Sequence, residues 1–147
     1  LRYFNVFGKR QDPTSPYSAV IPRFLEAVIA GENPVVFGDG DQTRDFIFID
    51  DVVEANLLAL TAENAGGTVV NIASGKRLSV NDILSHISDI LGQAVECRYE
   101  DPREGDVRHS VAEVDRAKRV LGFEARHDFK SGLRAYVDWA KRRTDLS

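Results

Sequence analysis

Val35-Val36-Phe37-Gly38-Asp39-Gly40-Asp41-Gln42-Thr43-Arg44-Asp45-Phe46-Ile47-Phe48-Ile49-Asp50-Asp51-Val52 sets two short apolar runs on either side of a polar turn. Glycine at 38 and 40 tolerates the positive-φ backbone that tight turns require, so this turn is expected to reverse the chain. The second run ends at Asp50-Asp51, which reads as a helix N-cap. One cation, Arg44, lies among the carboxylates of Asp39, Asp41 and Asp45. Either it is a surface arginine balanced by its neighbours, or its guanidinium fork is held at a strand end to grip a phosphate or a sugar hydroxyl.

Composition narrows the classes. The 147 residues are 43% hydrophobic and 29% charged, the profile of a globular domain long enough for one core. A net charge of -4 with scattered basic residues argues against a nucleic-acid partner or a polybasic membrane surface. No apolar run approaches the roughly 20 residues of a membrane helix, and no signal-peptide pattern opens the chain. Cys97 is alone, so no intrachain disulfide and no thiolate metal cage is expected, and it reads as a small, partly buried residue beside a strand. No metal site is expected, and the setting is expected to be cytoplasmic. The chain begins at Leu1 and holds no methionine, which points to a processed product or a piece of a longer protein.

Ahead of the central stretch, residues 1–8 read as an aromatic-rich strand stopped at Gly8, and a strand with no lead-in leaves an edge without a neighbour. A polar loop with Pro13 and Pro16 follows. Tyr17, Val20, Ile21, Phe24, Leu25, Val28 and Ile29 then recur at helical spacing, with Pro22 near the helix start and Gly31 past its end. After the central stretch, Val52, Ala55, Asn56, Ala59 and Leu60 form the expected inner face of the helix that Asp50 caps. Residues 68–73 read as a strand covered on both faces. Ser79 and Asp82 have capping-box spacing ahead of a stripe of Val80, Ile83, Leu84, Ile87, Ile90 and Leu91. His86, off that stripe, reads as solvated.

Residues 95–99 alternate like an edge strand. Asp115 is expected to cap a short helix closed by Gly122. Asp128 is expected to cap a longer one with Phe129, Leu133, Tyr136, Val137 and Ala140 inward. Trp139, off that stripe, is placed to shield a partner surface. Arg142 and Arg143 fall in the last turn, where positive charge is favourable. His127 reads as a loop residue without a role.

A second charged stretch is Asp101-Pro102-Arg103-Glu104-Gly105-Asp106-Val107-Arg108-His109-Ser110. As a solvated loop its charges would pair among themselves and contribute little. As a binding element it would meet a diphosphate from the flank opposite Arg44, neutralising charge that no single side chain reaches.

Gly38-Asp39-Gly40-Asp41-Gln42-Thr43-Arg44-Asp45-Phe46, followed by Asp50-Asp51-Val52-Val53-Glu54-Ala55, resembles the nucleotide-sugar epimerases and dehydratases of the extended short-chain dehydrogenase family. The resemblance runs over the whole chain, as the second half of the family's usual length. It implies an α/β fold, the last strands of a Rossmann sheet plus a small mixed α/β substrate-binding domain. Residues 1–147 would be the substrate-binding C-terminal portion, with the N-terminal NAD-binding portion outside this chain.

The resemblance also implies a site. Tyr3 and Phe4 would approach the nicotinamide end of NAD, and Asn5 the sugar diphosphate. The backbone N–H of Val20 would face the diphosphate; many members carry Asn where this chain has Ala19. The backbone of Val35 and the ring of Phe37 would frame the base. Arg44 would contact the diphosphate or its ribose, Arg103 the diphosphate, and Asp106 would accept from the ribose hydroxyls. The order Arg103-Glu104-Gly105-Asp106-Val107-Arg108-His109-Ser110 looks more like the 4-epimerases of UDP-glucose and UDP-N-acetylglucosamine than like the 4,6-dehydratases. Ser110 would lie beside the C2 substituent of the sugar, where a small side chain leaves room for an acetamido group.

Neither a glycine-rich GxxGxxG turn nor a Tyr-x-x-x-Lys pair occurs in these residues. No catalytic residue is therefore assigned, and the chain alone is expected to be inactive. For the full-length enzyme the resemblance implies a tyrosine that takes the proton of the sugar 4-hydroxyl, hydride transfer from C4 to NAD, rotation of the 4-keto sugar about its diphosphate link, and return of hydride to the other face. Expected partners are a UDP-sugar, the N-terminal NAD-binding half and a second copy in a homodimer. The competing readings are half of a nucleotide-sugar 4,6-dehydratase or decarboxylase, and a non-catalytic nucleotide-sugar-binding or interaction domain.

Overall fold

The structure is a computed structural model that describes residues 1–12, 20–63 and 65–144. The expectations for Pro13, Pro16, Tyr17, Ala19 and the Arg143 side chain lie outside what it describes. In chain order the first elements are β1 (Arg2–Tyr3), β2 (Asn5–Phe7), α1 (Val20–Ile29), β3 (Val35–Phe37), β4 (Thr43–Arg44), β5 (Phe46–Phe48) and α2 (Ile49–Thr61). There follow β6 (Asn71–Ile72), β7 (Leu78–Ser79), α3 (Val80–Leu91), β8 (Arg98–Glu100), α4 (Asp115–Leu121) and α5 (Phe129–Thr144). The fold is α/β with mainly parallel pairing, as expected. β1 pairs with β6, β2 with β5 and β3 with β8, all parallel, while β4 and β7 are antiparallel.

Every residue of β5 is buried, and successive strand residues point to opposite faces. Phe46 and Phe48 join a core with Phe7, Phe24, Ile83 and Leu133; Ile47 joins a second with Val52, Ala55, Ile72 and Leu121. Helices α1, α3 and α5 thus cover one side and α2 and α4 the other, which is why the strand is apolar throughout rather than alternating. The rings of Phe7 and Phe48 lie 5.5 Å apart and those of Phe7 and Phe129 5.1 Å apart.

Local signals with nearby partners hold. Ser79 and Asp82 form the capping box: the Ser79 Oγ accepts from the Asp82 amide at 3.0 Å and the Asp82 carboxylate from the Ser79 amide at 2.9 Å. The Ser79 hydroxyl and amide hold the Asp82 carboxyl below the usual carboxylate range. Asp128 accepts from the Ser131 amide at 2.9 Å at the start of α5, and Gly31 follows α1 with a positive φ of 75°.

Several expectations are corrected. The glycine turn does not close a hairpin, because β3 pairs with β8 and β5 with β2; it carries the chain from one sheet to another. Asp50 is not a cap. Helix α2 begins at Ile49 with Phe48 at the N-cap and no side-chain cap, and Asp50 is exposed in the first turn. Asp51 is 1% exposed and accepts from the amides of Arg126 and His127 at 3.1 and 3.3 Å, with His127 Nδ1 at 2.9 Å from it. His127 is therefore engaged. Burial of Asp51 sets the rotation of α2, so Val52 and Ala55 face inward while Asn56 is exposed and Leu60 is 82% exposed.

Asp115 is the first residue of α4 rather than its cap; the Glu113 carboxylate accepts from the Arg116 amide at 3.3 Å. His86 is half-buried, its ring 5.5 Å from that of Phe129 and its Nδ1 buried without a hydrogen-bond partner. Trp139 is half-buried and packs against the first core, 5.9 Å from the Tyr136 ring. Of residues 68–73 only Asn71–Ile72 form a ladder, and Val69 is exposed.

Candidate functional site

A groove of about 1400 Å³ runs between α1, β3, the β4–β5 segment and the 103–106 loop. Of the residues singled out in the sequence, its lining takes in Asn5, Val20, Val35, Phe37, Arg44, Arg103 and Asp106. Tyr3, Phe4 and Ser110 are not part of that lining. The Tyr3 hydroxyl donates to Asn56 Oδ1 at 2.8 Å, the Phe4 amide to the Ile72 carbonyl at 3.1 Å, and the Ser110 amide to the Thr43 carbonyl at 3.0 Å.

The groove's polar groups are held by the backbone around them. Asn5, opening β2, donates through Nδ2 to the Asp45 carbonyl at 2.8 Å. Arg44 donates from Nη1 to the Thr43 carbonyl at 2.8 Å, and its Nη2 is paired with the Asp106 carboxylate. Arg103 comes from the 103–106 loop, and its guanidinium carbon lies 3.9 Å above the centroid of the Phe37 ring. A cation over an aromatic face is attracted by the negative π-face of the ring. Gln42 secures β3 by donating from Nε2 to the Phe37 carbonyl at 2.8 Å. Arg44 and Arg103, from separate segments, thus share one cleft with an aromatic ring at its side, and Arg23 and Arg98 also line it. That arrangement suits an anion joined to a flat ring.

Three residues that carry this site were not singled out for it from sequence. Asp45 has no solvent exposure. It accepts from the Ser74 amide and hydroxyl at 2.9 and 2.7 Å and from the Gly75 and Ala112 amides at 3.0 and 3.2 Å. In the sequence it stands at the head of an apolar strand and beside Arg44, and neither signal marks it as buried. The other two are Asp39 and Arg108. Arg108 reaches Asp39 with both Nη atoms at 2.6 and 2.9 Å, and the Asp41 amide donates to the same carboxylate at 2.9 Å. The Arg108 guanidinium, with the Asp41 amide behind it, brings the Asp39 carboxyl down to about 2.

The turn beneath this pair is rigid. Asn81 Nδ2 donates to the Asp39 carbonyl at 3.0 Å and to Asp41 Oδ1 at 2.9 Å. Gly40, at φ 80°, leaves no room for a side chain, since a Cβ there would sit 2.1 Å from Asn81 Oδ1.

Toward NAD the fit is partial. The chain supplies a strand, β1 with β2, but no glycine-rich turn opening a helix on which a pyrophosphate rests, so these residues do not hold a dinucleotide by themselves. Among the described residues no cluster of His, Cys, Asp and Glu is arranged to hold a metal ion, and no helix is long and apolar enough to cross a membrane.

The model of the NAD dependent epimerase/dehydratase family matches residues 1–73. The UDP-N-acetylglucosamine 4-epimerase of Methanobrevibacter ruminantium M1, solved with UDP-N-acetylmuramic acid, is similar at 41% identity and a TM-score of 0.90, over 97% of this chain and 45% of that one. The UDP-glucose 4-epimerase of Thermotoga maritima, solved with UDP-glucose, is similar at 38% identity and a TM-score of 0.91, again over 97% and 45%. A UDP-glucose 4-epimerase of Mycolicibacterium smegmatis is 34% identical over 95% of this chain and 44% of its own length. The chain thus spans less than half the length of these relatives. A parallel α/β scaffold, a cleft lined by arginines, and similarity to epimerases along nearly all of its length agree on one assignment: the chain belongs to the NAD dependent epimerase/dehydratase family.

Proposed function

We propose that the groove holds the nucleotide diphosphate of a UDP-sugar, and that residues 1–147 are the substrate-binding C-terminal portion of a full-length UDP-sugar 4-epimerase. The observation that carries this reading is the pair of guanidinium groups, Arg44 and Arg103, brought from separate segments to one cleft beside Phe37. The base lies against Phe37 and the Val35 backbone. A base seated on the ring face that Arg103 now covers moves that guanidinium toward the diphosphate. Arg44 grips the diphosphate or its ribose from the other side, and Asp106, already paired with Arg44, accepts from the ribose hydroxyls. Asn5 and the Val20 amide face the diphosphate end. Ser110, tied to Thr43 through its amide, stands beside the sugar and leaves room for an acetamido group. The firm grip is thereby on the nucleotide, and the sugar is left free to turn.

Tyr3 and Phe4 form the flank toward NAD, whose hydride chemistry belongs with the acid/base pair in the N-terminal portion. That portion docks on the apolar face that this chain leaves open. Leu1, Tyr3, Val53, Leu57, Leu60 and Val69 are all exposed, and the Tyr3–Asn56 hydrogen bond joins the strand part of the face to the α2 part. The test is conversion of UDP-glucose and UDP-N-acetylglucosamine to their 4-epimers, in the presence of NAD, by the full-length protein and by this chain. We expect turnover of both sugars by the first and none by the second. A 4-keto-6-deoxy product from the full-length protein would reject the epimerase assignment, as would release of carbon dioxide when a UDP-uronic acid is supplied instead.

A further inference from the structure

We infer that Asp39 and Arg108 are a positioning pair, which holds the 103–106 loop against the groove and sets affinity for the diphosphate without touching it. The inference rests on the groove reading above.

Residues 101–109 are all exposed and, apart from a single bridge at His109, form no helix or strand, so the loop that carries Arg103 and Asp106 is held by individual contacts, the stack of Arg103 on Phe37 among them. Its ties run to the 39–44 segment. One is the Arg44–Asp106 pair, which lies in the groove and is drawn upon by any bound anion. A second is backbone: the Thr43 amide donates to the Arg108 carbonyl at 2.9 Å and the Ser110 amide to the Thr43 carbonyl at 3.0 Å. The third is the Arg108 fork on Asp39. Neither Asp39 nor Arg108 is part of the groove lining.

Their chemistry fits a strut rather than a ligand. Both Nη atoms of Arg108 are taken up by Asp39, with the Asp41 carboxylate a further 4.0 Å contact. That leaves little of the fork for a phosphate, unlike Arg103, whose guanidinium lies on a ring. Asp39 in turn sits on the turn that Gly40 and Asn81 lock in place. A single exposed ion pair between mobile side chains contributes almost nothing; a bidentate one anchored on an ordered turn is the exception. When a diphosphate competes for Arg44, the Arg108 tie is the charged side-chain contact that keeps the loop in register, beside the Thr43 Oγ1–His109 Nδ1 contact at 3.0 Å.

The experiment uses the full-length protein with Asp39→Ala, Arg108→Ala and the double variant. Amide hydrogen exchange over 101–110 is measured without ligand, and UDP affinity is measured by calorimetry. We expect each single variant to speed exchange at Asp106 and Ser110 and to weaken UDP about three- to fivefold, the upper range for an exposed pair. The double variant is expected to be no worse than either single one, since the two side chains act as one unit. Unchanged exchange in the single variants overturns the inference whatever UDP does. Faster exchange with unchanged UDP affinity overturns the positioning role and leaves a purely structural tie, as do strictly additive effects. Wild-type protein that fails to bind UDP rejects the groove reading itself, and the role assigned to the pair falls with it.

Discussion

Asp45 shows how one side chain can knit three segments. Its carboxylate joins the start of β5 to the Ser74-Gly75 turn and to Ala112, meeting three backbone amides and a hydroxyl with no water in reach. Asp45→Ala strands those amides in the interior, and the expected loss is at least about 3 kcal/mol, at about 1–3 kcal/mol for each buried donor left without a partner. Urea unfolding of the full-length protein measures it, and a loss below about 1 kcal/mol would mean the amides find water instead. In the sequence Asp45 looked like a companion of Arg44, alongside Asp39 and Asp41. The strand separates them: Arg44 lines the groove and Asp45 turns inward. The carboxylate that does meet Arg44 is Asp106, and Asp39 goes to Arg108. Which carboxylate meets which arginine depends on chain segments more than sixty residues apart, and no local pattern carries that. The Asp39 carboxyl, brought down to about 2 by its partner, keeps the Arg108 tie intact above the ordinary 3.8 and loses it only as pH falls through about 2.

At the scale of elements, α5 carries a glycine that its helical propensity alone does not favour. Gly132 is buried, and a Cβ there would lie 2.9 Å from Phe48 Cδ2 and 3.1 Å from Phe7 Cζ. Gly132→Ala gains up to about 1 kcal/mol of helix propensity but pushes on two packed rings, and overpacking costs about 1–3 kcal/mol. We expect a net loss of about 1–2 kcal/mol, read as a lower urea midpoint. A higher midpoint would mean the rings yield freely. The helices were legible where the signal was local: the Ser79–Asp82 box and the Asp128 cap each span three residues. The rotation of α2 was not, because Asp51 is turned inward by the amides of Arg126 and His127, far along the chain. The pairing of β3 with β8 was hidden for the same reason. A glycine turn between two apolar runs looks like a hairpin until the distant strand that takes one of them is known.

The whole molecule presents two faces of different character. One is the groove, where Arg44 is paired with Asp106 and Arg103 is stacked over Phe37. The other is the apolar face of β1 and α2, exposed at Tyr3, Val53, Leu57 and Leu60. A chain with both, spanning less than half of its relatives' length, fits a protein that keeps the nucleotide grip here and the oxidising chemistry elsewhere. The family was legible in the sequence, and seven of the residues named from it line the groove, because the glycine turn, the Arg-Asp-aromatic strand and the 103–106 loop are contiguous motifs. What keeps that loop in place was not, since it is built from contacts between motifs. The measurement that bears most directly on this account is calorimetric titration of UDP into the full-length protein and its Arg44→Ala and Arg103→Ala variants. Each replacement should weaken binding by about 1.5–3 kcal/mol, the range for hydrogen bonds to charged groups. Unchanged affinity in both variants would contradict the account and return these two residues to the role of surface arginines.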